Sequence, residues 1–272
     1  RFPVGRASNQ YIDWSATAQA MRNSSSGRRQ WVVKQVSGWA PVGKWMLRRK
    51  EWTHDQCPRC GLENEDTVHV LKCQDPGAKE QWKKSLDELN TWMKTQKTHP
   101  GIRAAVIAYL AAWQADQPDP VLVNQDFHGL ATAIGRQQEV GWQALVEGCP
   151  ALGWDESQQQ YYNFIRSRKT GRRWLAALIC KFWQVAWDMW EHRNGILHDK
   201  EQGQAALERA ARVRDEFEEG CEALDRDARL LFRPGLDKVL RYREGQQKAW
   251  IARIEVARQR AMARQEEGGL HE

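Results

Sequence analysis

The chain of 272 residues is predicted to fold as an all-α protein, on two observations. Apolar residues recur at spacings of three and four in one segment after another, and no segment alternates apolar with polar residues as a half-buried strand does. The architecture expected is a helical bundle with a small cysteine- and histidine-bearing knuckle inserted near the N-terminal third and a long C-terminal helix. Changes in composition divide the chain into a basic, tryptophan-rich segment (1–50), the knuckle (51–76), the bundle (77–234) and the C-terminal helix (235–272).

In chain order, residues 14–50 contain no carboxylate and the cations Arg22, Arg28, Arg29, Lys34, Lys44, Arg48, Arg49 and Lys50, a block charge of +8. Asn23-Ser24-Ser25-Ser26-Gly27 divides this block into two short helices, and Pro41 starts a third. Trp31, Trp39 and Trp45 lie among the charges. Cations beside exposed indoles suit phosphate contact with base stacking. The alternative buries the indoles and leaves the charges on the solvated faces opposite.

Asp75-Pro76 ends the knuckle, and a helical period begins at once, with Trp82, Leu86, Leu89 and Met93 on one side. His99-Pro100-Gly101 ends it, and Ile102, Val106, Leu110 and Trp113 repeat the pattern; both stripes read as core. Asp116–Pro120 is the clearest break in the chain. Residues 125–148 read as one helix closed by Gly148-Cys149-Pro150, followed by a loop through Gly153–Asp155.

A second acid-free stretch lies between Glu156 and Asp188. Arg166, Arg168, Lys169, Arg172 and Arg173 cluster there around a Thr170-Gly171 helix junction, forming a compact cationic patch. The helix from Trp174 to about Arg193, with Trp183, Trp187 and Trp190, is apolar enough to form a bundle centre. Mixed charges fill 200–230. After Arg233-Pro234-Gly235, residues 236–267 read as one charged helix with Leu236, Leu240, Trp250, Ile254 and Ala261 as a thin seam, suited to a helical partner or a second copy of the chain.

The stretch Cys57-Pro-Arg-Cys60-Gly61 through His69 to Cys73 carries its own chemistry. Two cysteines separated by two residues offer both sulfurs to one ion from a tight turn, for which Gly61 supplies backbone freedom. His69 and Cys73, four apart, share one face of a helical turn. Cys57, Cys60, His69 and Cys73 therefore form a closed ligand set of the structural-zinc type, with no open position for a substrate. His54 is a rival for the fourth place.

With Trp52 before it, the acidic run Glu63–Asp66, Thr67-Val68-His69-Val70-Leu71 and Trp82 after it, this stretch resembles the zinc-binding module in the C-terminal regions of non-LTR retroelement reverse-transcriptase proteins. The resemblance covers about residues 41–84, with a looser echo at Trp187–Asn194. The gap from histidine to cysteine is three residues here, where that family more often has four. The resemblance implies a retroelement-derived protein and does not imply a polymerase; the two basic blocks make nucleic acid, RNA or DNA, the expected partner of a region that is non-catalytic by itself.

A polymerase needs paired carboxylates for two metals, and Tyr11-Ile12-Asp13-Trp14 lacks the second aspartate. A restriction-like nuclease, which follows a similar knuckle in some retroelements, needs strands behind its Pro-Asp, and Pro118-Asp119 has none. The stronger enzymatic alternative is Arg193-Asn194 with His198, which resembles the R-N-x3-H motif of the HEPN ribonucleases. There the histidine would move a proton and the arginine would stabilise phosphorane charge. A non-binding scaffold for protein partners is a third reading.

The net charge of +6 and pI near 9.0 favour a polyanionic partner. Of six cysteines, three lie in the knuckle and Cys149, Cys180 and Cys221 are scattered, a usage that fits a reducing compartment, nucleus or cytoplasm. No apolar run approaches the roughly 20 residues of a membrane span. The chain begins at Arg1 and is expected to be part of a longer protein.

Overall fold

A computed structural model describes residues 8–120 and 129–268, and over these the chain is all-α. Among the described residues no strand forms; Ile12 and Ala151 make an isolated bridge. The chain divides into two compact units, residues 1–196 and 197–272. The sequence divisions after residues 50 and 76 fall inside the first unit, and that after 234 falls inside the second.

The acid-free N-terminal block supplies α1 (Trp14–Asn23), α2 (Ser26–Val36) and α3 (Gly43–Arg48). Asp13 caps α1 by accepting the Ala16 N–H at 3.0 Å, and Ser25 caps α2 by accepting that of Arg28. Asp66 starts α4 (Thr67–Lys72), and Asp75 with Pro76 starts α5 (Pro76–Thr95). His99, whose Nδ1 accepts the Gly101 N–H, starts α6 (Pro100–Gln114). The stripes Trp82, Leu86, Leu89, Met93 and Ile102, Val106, Leu110 are buried, as their period demands.

Two boundaries differ from the expectation. The start of the helix read over 125–148, residues 125–128, lies outside the described residues. The rest is two helices, α7 (Leu130–Val140) and α8 (Trp142–Val146), because Gly141 at φ +97° turns the chain between them. The apolar period continues across the turn and conceals it. Beyond, α9 (Trp154–Phe164) starts directly at the stretch read as a loop.

The second difference is α10 (Gly171–Glu219), which begins at the expected junction but does not stop near Arg193. It runs through Gly195, around which there is open space. An interior glycine costs a helix only about 1 kcal/mol, which packing over the preceding turns offsets. Phe182, Trp183, Met189 and Trp190 are buried in the core of the first unit, and Trp187 meets Trp31 edge-on at 5.0 Å. The start of α10 depends on close approach: a Cβ on Gly171 would lie 2.0 Å from the Asp155 carbonyl oxygen, so only glycine lets α10 meet α9 there.

Burial has an electrostatic consequence at Glu147. It pushes the Glu147 carboxyl from an ordinary 4.5 up to about 7, partly opposed by the hydrogen bond from Gln143 Nε2. Between those values the folded state holds a proton that the unfolded state has lost. This stabilisation, about 3 kcal/mol at most, is present at acid pH and fades as pH rises through 7. Glu147→Gln keeps an acceptor for Gln143 and should gain about 2 kcal/mol over wild type at pH 8 and little at pH 4.5. Denaturant melts at the two pH values test this; equal effects at both would refute it.

In the second unit, the later turns of α10 are joined by α11 (Arg226–Arg229), a 3-10 turn at Leu230–Phe232, α12 (Leu236–Leu240) and α13 (Glu244–Gly268). The helix expected to be continuous over 236–267 is thus broken between Leu240 and Glu244. Nor is its seam open: Val213, Val239, Trp250 and Ile254 are buried together, with the Phe217 and Trp250 rings stacked at 5.6 Å. Glu216, also buried, accepts from Arg258 Nε at 3.0 Å. Of the apolar residues read as a partner-binding stripe, Trp250, Ile254 and Ala261 are buried within this unit and Leu236 and Leu240 are half-buried against its core.

Candidate metal centre and cationic cleft

Cys57, Cys60, His69 and Cys73 come together, with one ligand atom from each within 4.8 Å of the others. The knuckle turn is closed by hydrogen bonds from Gly61 N–H to the Cys57 carbonyl and from Cys57 N–H to the Leu62 carbonyl. The first turn of α4 carries His69, and Cys73 follows its last residue. Tetrahedral zinc with Zn–S near 2.3 Å and Zn–N near 2.05 Å requires edges of roughly 3.8 Å between sulfurs and 3.5 Å between sulfur and nitrogen. Cys57 Sγ and Cys73 Sγ are 3.9 Å apart, and Cys60 Sγ lies 3.3 Å from His69 Nε2. These separations fit a shared ion and are far too long for a disulfide. All six cysteines are free.

The surroundings set the two buried thiols apart. The contact with Cys73 holds the Cys57 thiol well below its ordinary value, while the same contact raises that of Cys73. Arg59 Nε and Nη1 are buried without a hydrogen-bond partner, and its charge also favours the Cys73 thiolate. Three thiolates, a neutral imidazole and a divalent ion carry a formal charge of −1, which Arg59 offsets. His54 stands apart, accepting the Gln56 N–H at its Nδ1.

A carboxylate that the sequence reading treated only as part of an acidic run ties this loop to the bundle. Glu65 is fully buried, and both its oxygens accept from Arg193, Nε to Oε1 at 3.0 Å and Nη2 to Oε2 at 2.6 Å. Gly43 N–H donates to the same Oε2 at 2.8 Å. The Trp52 and Trp190 rings flank the guanidinium at 5.4 and 5.5 Å. Arg193 is 1% exposed, so it presents no donor to a phosphate, and Asn194 Oδ1 accepts from its Nη1. His198 belongs to the second unit, where it is exposed and pairs with Glu201 at 3.3 Å. The pattern R-N-x3-H thus marks a buried ion pair and a surface pair.

The structure sorts the candidate phosphate contacts by what already holds them. Arg28 donates to Gln184 Oε1 and lies 4.2 Å from the Trp187 ring centre; burial lowers its pKa, and it belongs to the core rim. Arg48 lies over Trp45 and Arg49 pairs with Glu51, while Arg29 donates to the Ser24 carbonyl. Lys34 and Lys50 are exposed. In the second patch Arg172 is committed to Asp13 and Asp155. Arg166, Arg168, Lys169 and Arg173 are exposed and make no ion pair among the described residues.

Three of these, Arg168, Lys169 and Arg173, line an open cleft of about 360 Å3 with Gln96, Tyr162, Thr170 and Trp174. Its floor is fixed: Tyr162 OH donates to the Gln96 carbonyl at 2.8 Å and Trp174 Nε1 to Thr98 Oγ1 at 2.8 Å. The Thr170 hydroxyl accepts the Arg173 N–H, the Thr170 carbonyl accepts that of Trp174, and the Gly171 N–H donates to Gln159 Oε1. No described helix is long and apolar enough to cross a membrane. Compared with protein-family models, with curated proteins and with solved structures, the chain gives no match.

Proposed function

We propose that this chain is a zinc-stabilised nucleic-acid-binding region of a retroelement-type protein, acting by binding rather than by catalysis. The observation that carries the reading is the cleft at the start of α10, where Arg168, Lys169 and Arg173 stand beside Arg166 with no carboxylate paired to them among the described residues. Unpaired guanidinium groups on a rigid rim bind phosphate oxygens with displacement of counterions, a gain that does not depend on base sequence. Zinc held by Cys57, Cys60, His69 and Cys73 would supply no reaction; it would fix the loop that carries Glu65. The retroelement assignment draws on the knuckle's resemblance alone.

Binding of a labelled 16-nucleotide strand should weaken steeply between 50 and 200 mM salt. Arg168→Glu with Arg173→Glu should weaken it for all sequences alike and make the slope of log K against log salt shallower by roughly 1.4, two contacts at about 0.7 each. These exposed side chains are preferred to Arg172, whose replacement would also leave Asp13 unpaired. Absence of binding at 50 mM salt, or an affinity independent of salt, would shift the reading to a scaffold for protein partners.

A further inference from the structure

The turn between α2 and α3 holds a feature that the cationic cleft does not need. Trp39 and Trp45 are stacked, ring centres 4.3 Å apart and planes within 16°. With one face against its neighbour, Trp39 is still 59% exposed. Its backbone is held rather than loose: the N–H groups of Trp39 and Ala40 both donate to the Lys34 carbonyl, at 2.8 and 3.1 Å. Trp45 lies on α3, and Arg48 sits 4.9 Å from its ring centre.

The segment that carries the stack is cationic. Lys34, Lys44 and Lys50 are exposed, the block 14–50 has no carboxylate, and Glu51, the first that follows, is paired with Arg49 at 3.0 Å. A core indole would be covered, and a solvated face would not carry two coplanar rings. A flat, rigid, half-open indole amid cations suits a ligand that is planar, polarisable and tied to negative charge. An unpaired nucleobase with its phosphate is such a ligand, and a base inside a duplex has no free face to offer.

We infer that Trp39, backed by Trp45, is a stacking platform for an unpaired base, which makes single-stranded nucleic acid the preferred partner. This rests on the nucleic-acid reading above and specifies it. Any base has a π-face, so the platform is indifferent to sequence, and the neighbouring lysines contact the phosphates on either side.

The test uses the full chain with its metal, labelled oligo(U) and oligo(dT) of 16 nucleotides, and a 16-base-pair duplex, all at 50 mM salt. Trp39→Ala should weaken both single strands by roughly tenfold, within the 5- to 150-fold that loss of one stacked base implies, and leave the duplex unchanged. Trp39→Phe, which keeps a ring, should restore most of the loss. Oligo(U) carrying 4-thiouridine should photocrosslink to Trp39 or Trp45 in the wild type, a readout that does not require a variant to fold. Equal weakening of strand and duplex by Trp39→Ala, or no crosslink to either indole, overturns the platform. If Arg168→Glu with Arg173→Glu weakens binding while Trp39→Ala does not, the platform is wrong and the cleft stands. If the wild type binds none of the three probes, both fall.

Discussion

Arg193→Ala is expected to cost the first unit about 3 to 5 kcal/mol, the usual effect of removing one partner from a buried ion pair. Glu65 has no water to turn to: it is fully buried, and of the donors at its oxygens only the Gly43 N–H would remain. Stacking of the guanidinium between Trp52 and Trp190 would be lost as well, leaving a cavity. The control is a cycle: Arg193→Met with Glu65→Leu removes both charges while retaining volume, and should be less destabilising than either single replacement. Denaturant melts followed by tryptophan fluorescence give the four energies. A loss below 1 kcal/mol for Arg193→Ala, or a double variant no better than the singles, would show that the pair contributes little.

The same pair shows where sequence legibility ends. Apolar stripes such as Trp82-Leu86-Leu89-Met93 foretold their own burial because a 3.6-residue period is a local property. The clustering of Cys57, Cys60, His69 and Cys73 was legible for a related reason: metal geometry constrains spacing within a short stretch. Glu65 and Arg193 are 128 positions apart, and nothing in either neighbourhood announces the other. The one available signal was a lone arginine on an otherwise apolar helix face, which requires a buried acid somewhere.

The cationic patches were legible as composition but not as availability. Which arginine remains free depends on where carboxylates from distant segments arrive, and Asp13 reaches Arg172 across 159 positions. The helix end expected near Arg193 failed in the opposite direction. An interior glycine at 195 has a real local cost, but about 1 kcal/mol does not end a helix whose preceding turns bury Trp183, Met189 and Trp190. The C-terminal seam was visible as periodicity, whereas its burial against Phe217 and Val213 depends on a turn that periodicity does not encode.

Removal of the zinc proposed for the Cys57, Cys60, His69 and Cys73 cluster should have the largest effect of all. Coordination at a closed site of this type is worth on the order of 10 to 16 kcal/mol in isolated zinc-finger peptides, and that free energy is folding free energy. In this chain the effect should extend beyond the knuckle. Cys57 and Cys73 are buried with Val70 and Leu71 in the first unit's core, Glu65 N–H donates to the Asp55 carbonyl, and Lys44 N–H donates to the Glu65 carbonyl. Without the ion the loop from 51 to 66 loses its anchor, Glu65 leaves Arg193, and a guanidinium that cannot deprotonate is left buried alone. Protein prepared without chelator should therefore carry one zinc per chain, and stripping it, or Cys57→Ser, should lower the melting temperature by well over 10 °C and open residues 51–66 to protease. His54→Ala should leave both metal content and melting unchanged. Zinc-free protein from such a preparation, or a stripped protein that melts with the holo form, would overturn the assignment; Cys57→Ser matched in its loss by Arg193→Ala would instead show that the ion acts chiefly through Glu65.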